Sequence, residues 1–251
     1  KLSDKVGYTL FAGANVKSPI DVNKDGFSEI PEHQDYIFHP RFFFTLNQKT
    51  KFNVGITSTI DNRKTGDMEA IKNEVTAAHP YLRKENTLRN VLDLQYTHDF
   101  SKINTLTFKT ALSSYQREVS YPYRGIDFHL KAAQYSTYSE LSDRATLGKN
   151  TLVTGVNLIT ESFRKISDDV VPLSNYDYVT VGLFVQNDWK VADKFTVEAG
   201  LRYDHHNVNG SFVLPRIALF YKASDKLSLR LASGAGYKAA NILALSDPTP
   251  Y

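Results

Sequence analysis

Apolar and polar residues alternate with a period of two between residues 178 and 237. The apolar positions of this stretch include Val181, Leu183, Val185, Val197, Ala199, Leu201, Ile217, Leu219, Leu229 and Leu231. The positions between them carry polar or small residues, among them Gly182, Gln186, Glu198, Gly200, Arg202, Asp204, Arg216 and Arg230. Successive side chains of a strand point to opposite faces, whereas a helix would not sort residues in this way. The pattern predicts four antiparallel strands with one apolar face and one charged face.

Two environments suit such strands: a soluble β-sandwich, or an outer-membrane barrel with its apolar face toward lipid. Residues 190–194 and 222–226 read as tight polar turns, and they join strands of about ten residues, which can cross a bilayer at a tilt. Charged residues also recur in the middle of the polar face. These features favour the barrel, and a soluble sandwich that serves as a binding module remains the alternative.

The barrel interpretation makes a directional prediction for the two faces. We expect the face of Leu201, Leu219 and Leu229 to contact lipid, and the face of Arg202, Arg216 and Arg230 to line the lumen. Replacement of Leu219 by arginine should therefore destabilise the protein far more than replacement of Arg202 by leucine.

The remainder of the chain continues the same pattern, with about eleven strands in total. Long polar connections are predicted at residues 17–34, 63–84, 117–127 and 164–175, and short turns at 48–51 and 100–104. Outer-membrane barrels alternate long outer loops with short periplasmic turns in this way. The sequence therefore predicts an all-β fold, an antiparallel up-and-down transmembrane β-barrel segment.

The tyrosines concentrate at predicted strand ends and in loops. Because tyrosine is amphipathic, we interpret most of these residues as an aromatic girdle at the lipid–water boundary. They are Tyr115, Tyr121, Tyr123, Tyr135, Tyr138, Tyr176 and Tyr178.

Composition changes this picture little. A hydrophobic fraction of 41% would suit a soluble protein, but a barrel also exposes half of its strand residues to water. The net charge of +3 comes from scattered residues, so no nucleic-acid partner is expected. The absence of cysteine excludes disulfides and thiolate metal sites, and no apolar run reaches the length of a membrane helix.

Residues 21–32 match the spacing of a twelve-residue calcium loop. Oxygen-bearing side chains occupy positions one, three and five, glycine occupies position six, and glutamate occupies position twelve. The candidate ligands are Asp21, Asn23, Asp25, Phe27 through its carbonyl, Glu29 directly or through water, and Glu32. We predict a structural calcium ion in an extracellular loop. The alternative is a solvated acidic loop held by Asx turns.

Asp204, His205 and His206 lie at the tip of a predicted hairpin. Neighbouring strand residues face opposite sides, so the two imidazoles are not expected to share a metal ion. We predict no enzymatic activity. An outer-membrane barrel enzyme that uses Asp204 and His205 remains an alternative.

Five segments of the chain resemble the barrel of TonB-dependent receptors, the active importers of the Gram-negative outer membrane. They are Gly182-Leu-Phe-Val-Gln-Asn-Asp-Trp-Lys190, Ala199-Gly-Leu-Arg-Tyr-Asp204, Leu214-Pro-Arg216, Leu229-Arg230 and Gly234-Ala-Gly-Tyr-Lys-Ala239. Ala240 departs from the pattern, since the family often has proline there.

The resemblance implies that residues 1–251 form a partial TonB-dependent receptor β-barrel domain. This would be about half of a 22-stranded barrel, with no plug domain in this chain. It further implies import of a scarce, bulky nutrient, either a metal chelate (siderophore) or cobalamin. The expected partners are outer-membrane lipid, the remainder of the barrel and its plug, the TonB energy-transducing complex through that plug, and a surface lipoprotein. A passive porin-type channel is the other functional alternative.

Overall fold

A computed structural model describes residues 3–73, 75–123, 126–167 and 173–238. They form one sheet of eleven antiparallel strands, and each strand pairs with the next along the chain. The strands are β1 (Val6–Lys17), β2 (Glu32–Thr45), β3 (Thr50–Gly66), β4 (Leu82–Asp99), β5 (Asn104–Tyr123), β6 (Ile126–Leu147), β7 (Asn150–Lys165), β8 (Tyr176–Ala192), β9 (Phe195–His206), β10 (Gly210–Lys222) and β11 (Ser228–Gly234). This confirms the predicted up-and-down, all-β fold. Within the described chain β1 and β11 do not pair, so the sheet is not closed.

Strand pairing gives the sheet one predominantly apolar face across all eleven strands, while some apolar residues, such as Phe43 and Phe184, lie on the opposite face. Residues directly opposite each other in an antiparallel pair share a face. Apolar residues meet in this way across the whole sheet, in the pairs Tyr8 with Phe42, Val54 with Leu94, Phe108 with Leu141, Val156 with Leu183, and Leu219 with Leu231. We call this the outer face and the opposite one the luminal face.

The outer face is not covered by protein. Leu201 is 49% exposed and Leu183 is 56% exposed, and both lie in the central part of their strands. A soluble monomer rarely exposes a continuous apolar surface of this extent. This exposed apolar face is the one that the sequence predicts to contact lipid.

Five short connections lie at one end of the sheet, which we call the turn end. They are residues 46–49, 100–103, 148–149, 193–194 and 223–227. The opposite loop end carries the connections at residues 18–31 and 67–81 and the short turn at 207–209.

The predicted long loop at residues 117–127 is wrong. β5 continues to Tyr123 and β6 begins at Ile126, and the two strands pair as far as Tyr123 and Ile126. Pro122 lies beyond the last β4 pair, at Ser120, on the part of β5 that has only β6 as a neighbour. Proline is tolerated at such an edge because no ladder donor is required there.

The predicted loop at residues 63–84 is shorter and contains a helix. β3 ends at Gly66, β4 begins at Leu82, and α1 (Met68–Lys72) lies between them. Asp67 caps this helix by accepting a hydrogen bond from the amide of Glu69 at 2.9 Å. No helix in the described part of the chain is both long and apolar enough to span a membrane.

Candidate functional site: the luminal face

A glycine in the middle strand lets charged residues pair across two strand spacings. Arg41 of β2, Gly55 of β3 and Asp93 of β4 lie directly opposite one another on the luminal face. Because Gly55 has no side chain, the guanidinium of Arg41 reaches the carboxylate of Asp93 above it. Arg41 Nη1 also donates to Asn53 Oδ1 at 3.2 Å.

The same arrangement recurs around Gly182 with a more buried cluster. Asn157 of β7 and Asp204 of β9 lie opposite Gly182 on either side. Arg202 joins them: its Nε lies 2.7 Å from Asp204 Oδ1, and its Nη2 donates to Asn157 Oδ1 at 3.0 Å. Asn157 is 1% exposed and Asp204 is 3% exposed. We call Asn157, Gly182, Arg202 and Asp204 the glycine cluster.

Sequence reasoning did not identify the glycine cluster. The available signal was glycine inside a strand, which often marks close approach of neighbouring groups. Which groups approach depends on the register of three strands, and periodicity does not give that register.

Opposed carboxylates on β2 and β3 are held together by their neighbours. Asp35 and Asp61 lie directly opposite each other, where like charges repel. His33 Nε2 lies 3.0 Å from Asp61 and 3.5 Å from Asp35. Arg63 donates two hydrogen bonds to Asp61, each of 2.9 Å, and Asn15 donates to Asp35 at 2.8 Å. These donors allow two acids to line the same part of the lumen.

Arginines on the luminal face lie over tyrosine rings. Arg89 lies 5.0 Å from the ring centre of Tyr115, and Arg83 lies 5.4 Å from that of Tyr121. A ring face attracts a cation without neutralising it. Arg89 therefore presents positive charge toward the lumen, whereas the charge of Arg83 is offset by Glu85, whose carboxylate lies 3.7 Å away.

The girdle interpretation is wrong for most of the tyrosines. Register places Tyr115, Tyr121, Tyr138, Tyr176 and Tyr178 on the luminal face and only Tyr135 on the outer face. The side chain of Tyr123 lies outside the described part. At the loop end Tyr176 stacks on Phe163 and Tyr178, with ring centres 5.5 Å and 4.3 Å apart. These luminal tyrosines face the lumen rather than the lipid boundary.

His205 and His206 face opposite sides, as expected. His206 is buried on the luminal face, where its Nδ1 accepts hydrogen bonds from the amides of Val208 and Asn209 at 3.1 Å each. His205 lies on the outer face, with its Nδ1 3.0 Å from Ser211 Oγ. Asp204 is luminal, so the structure does not bring Asp204 and His205 together as an acid–base pair.

Part of the candidate calcium loop converges on one point. Oxygen atoms of Asp21, Asp25 and Glu29 all lie within 4.8 Å of one another. Asn23 lies beside them, donating from Nδ2 to Asp25 Oδ2 at 3.0 Å. Gly26 adopts φ of 92°, a conformation that favours glycine. Three carboxylates at this spacing fit a hard divalent cation.

Glu32, a further candidate ligand, is placed outside the cluster. Glu32 lies within β2 and pairs with Lys64 Nζ at 2.8 Å, so its carboxylate is engaged outside the cluster. The ring of Phe27 lies 6.2 Å from that of Tyr81. The cluster is also held by backbone amides, since Lys24 and Gly26 donate to Asp21 at 2.6 Å and 2.8 Å.

The candidate calcium loop, which we also call the acidic loop, docks on the neighbouring loop that contains α1. Ser28 and Gly66 exchange hydrogen bonds: the Ser28 amide donates to the Gly66 carbonyl at 2.8 Å, and the Gly66 amide donates to Ser28 Oγ at 3.0 Å. Asp67 anchors the second loop through His79, 2.8 Å away. Burial would raise the pKa of Asp67, but hydrogen bonds from His79 and from the Glu69 and Ala70 amides outweigh it, so the pKa lies below its usual range.

Three comparisons place this geometry in context. The family model for the β-barrel of TonB-dependent receptors matches residues 28–251. Comparison with curated protein sequences gives no significant match. Several solved structures share the fold at low sequence identity.

The ferric enterobactin receptor PfeA of Pseudomonas aeruginosa is 12% identical with a TM-score of 0.73, over 96% of this chain and 40% of its own. The siderophore receptor PirA of Acinetobacter baumannii is 15% identical with a TM-score of 0.69, and the match covers 95% of this chain and 39% of PirA. The ferric-catecholate import receptor Fiu of E. coli is 9% identical with a TM-score of 0.63, and the match covers 93% of this chain and 47% of Fiu.

The chain therefore spans less than half the length of these receptors. Eleven strands would be half of a 22-stranded barrel, which agrees with the open sheet. The family model covers most of the chain and the fold agrees with it. The chain belongs to the TonB-dependent receptor family, as part of its β-barrel.

Proposed function

We propose that this chain forms half of the wall of an outer-membrane receptor that actively imports a ferric siderophore. Family membership supports the receptor and transport class. The similar solved structures named above are siderophore receptors, and none of these three is a cobalamin receptor by its name, which favours the siderophore over cobalamin.

The observation that carries the cargo class is Arg89, which lines the luminal face of β4 over the ring of Tyr115. The described structure shows no ion pair for Arg89, whereas Arg83 on the same face lies 3.7 Å from the carboxylate of Glu85. Ferric chelates of the catecholate type are bulky anions, and a lumen with low-dielectric walls concentrates an ion of opposite charge. Energy would come from the TonB complex acting on the plug, which lies outside this chain.

Uptake of iron-55 bound to a catecholate siderophore tests this function. The whole receptor would be expressed in cells that lack their own siderophore receptors, and in matched cells without TonB. We expect uptake only when TonB is present, and a several-fold slower uptake for Arg89→Gln. Arg230→Gln, near the turn end, is the matched control and should transport normally.

Uptake that persists without TonB would instead indicate a passive channel of the porin type. Uptake of labelled cobalamin with no uptake of ferric siderophore would overturn the cargo while leaving active import in place.

We also propose that the acidic loop binds one calcium ion, with Asp21, Asp25 and Glu29 as carboxylate ligands and Asn23 beside them. The convergence of these oxygens supports the site. The docking of Ser28 on Gly66 means that an ion here would stiffen two outer loops together. Extracellular calcium modules bind with dissociation constants of about 10⁻⁴–10⁻³ M.

Isothermal calorimetry on the whole receptor tests the calcium site. We expect binding in this affinity range that is lost in the double variant Asp21→Ala, Asp25→Ala. Glu32→Gln should retain binding, because Glu32 pairs with Lys64. Equal calcium binding by the receptor and the double variant, or no binding at millimolar calcium, would show that the loop is only acidic.

A further inference from the structure

Each of the five connections at the turn end carries an exposed lysine. They are Lys49, Lys102, Lys149, Lys194 and Lys226. Lys64, Lys109, Lys131 and Lys222 form ion pairs within the described chain. None of the five turn lysines is among them, although Asp225 beside Lys226 pairs with Lys222.

Exposed apolar residues flank these lysines. Leu46, Phe100, Ile103, Leu147 and Leu227 lie in the same turns or at the adjoining strand ends, and Phe100 is 61% exposed. All five are exposed, although the Phe100 ring also meets the His98 ring edge to face, with ring centres 4.8 Å apart. We call these five lysines and five apolar residues the turn rim.

This combination matches the chemistry of a membrane interface. A lysine extends its apolar stem along hydrocarbon and places its ammonium group among the headgroups. Neighbouring leucine or phenylalanine side chains enter the boundary between headgroups and acyl chains. A purely aqueous partner would suit the lysines but would leave the apolar residues exposed to water.

The loop end differs in charge. The connection at residues 18–31 carries Asp21, Asp25 and Glu29 against Lys24 alone. The positive rim is therefore a property of one end of the sheet. It lies in continuity with the face that contacts lipid.

We propose that the turn rim binds the phosphate groups of anionic phospholipids in the adjacent membrane leaflet, and so fixes the depth of the barrel. Each lysine close to an anionic surface contributes roughly a fivefold preference. The proposal rests on the membrane-spanning fold and not on the transport function, so siderophore uptake and lipid binding can fail independently.

Electron spin resonance with spin-labelled lipids tests the proposal on the whole receptor in phosphatidylcholine vesicles. The measured quantity is the association of labelled phosphatidylglycerol relative to labelled phosphatidylcholine. We expect a preference for phosphatidylglycerol that falls at least about twofold in the triple variant Lys49→Gln, Lys102→Gln, Lys149→Gln. Molar salt should weaken the preference of the unmodified receptor as well, since it shortens the screening length to about 3 Å.

The matched control is the triple variant Lys17→Gln, Lys72→Gln, Lys84→Gln, which removes three exposed lysines at the loop end. It should keep the full preference. An unchanged preference in the turn-rim variant would overturn the proposal and leave a soluble acidic partner as the occupant of the rim. An equal fall in both variants would also overturn it, because overall charge rather than the rim would then attract the lipid.

Discussion

Replacement of Gly182 by alanine is expected to destabilise the receptor by about 3 kcal/mol, near the upper end of the cost of overpacking a filled site. A methyl group at this position would collide with Asn157 and lie 2.5 Å from Asp204 Oδ1 and 2.8 Å from Arg202 Nη2. Asn157 and Asp204 are buried, and the partly exposed Arg202 contacts both of them. They cannot separate without leaving a buried carboxylate without its partner.

Gly200→Ala is the matched control on the neighbouring strand. A methyl group there meets Val185 O at 3.5 Å, an ordinary contact, so the change should be neutral or stabilise the strand by about 0.5 kcal/mol. Urea unfolding of the whole receptor in lipid vesicles measures both variants. Equal urea midpoints of unfolding for Gly182→Ala and Gly200→Ala would show that the glycine cluster does not require a residue without a side chain at position 182.

The glycine cluster also changes the prediction made for Arg202. Its place on the polar face suggests that leucine would be tolerated there. The structure instead pairs Arg202 with Asp204, which is almost fully buried. Removing one partner of a buried charge pair leaves the other uncompensated, so Arg202→Leu is no longer expected to be mild.

The strands and their two faces could be predicted from the sequence because a period of two is a local signal. β9 carries it clearly, and β8 carries it with exceptions at Phe184 and Asn187. The luminal tyrosines also carried this signal: Tyr115 differs in phase from Leu112, which lies on the outer face. Its phase places Tyr115 in the lumen, although tyrosine in general prefers membrane boundaries.

Other features depend on pairing between residues that are far apart in the sequence, which a local pattern does not specify. The pairing of Arg41 with Asp93 requires the register of three strands and a glycine between them. The continuation of β5 and β6 through Pro122 requires knowing that β4 has already ended. The engagement of Glu32 by Lys64 follows from the β2–β3 register, whereas loop spacing alone assigns Glu32 to calcium.

The second large effect is expected at Leu201, at the centre of β9 on the outer face. Arginine at this position would face hydrocarbon and should cost about 2–4 kcal/mol near the middle of the membrane. Gln186→Arg is the matched control, because Gln186 lies on the luminal face at the same level, opposite Gly200. An arginine there can donate to Asp188, as Gln186 does at 3.1 Å, so the luminal change should cost less than about 1 kcal/mol.

The most direct test compares the unfolding free energies of Leu201→Arg and Gln186→Arg in lipid vesicles. It shows whether the outer face of this sheet contacts lipid and the luminal face contacts water. A membrane-spanning sheet predicts a loss for Leu201→Arg that exceeds the loss for Gln186→Arg by at least about 1 kcal/mol. Equal losses, or a larger loss for Gln186→Arg, would contradict the account, because the apolar face would then not lie against hydrocarbon.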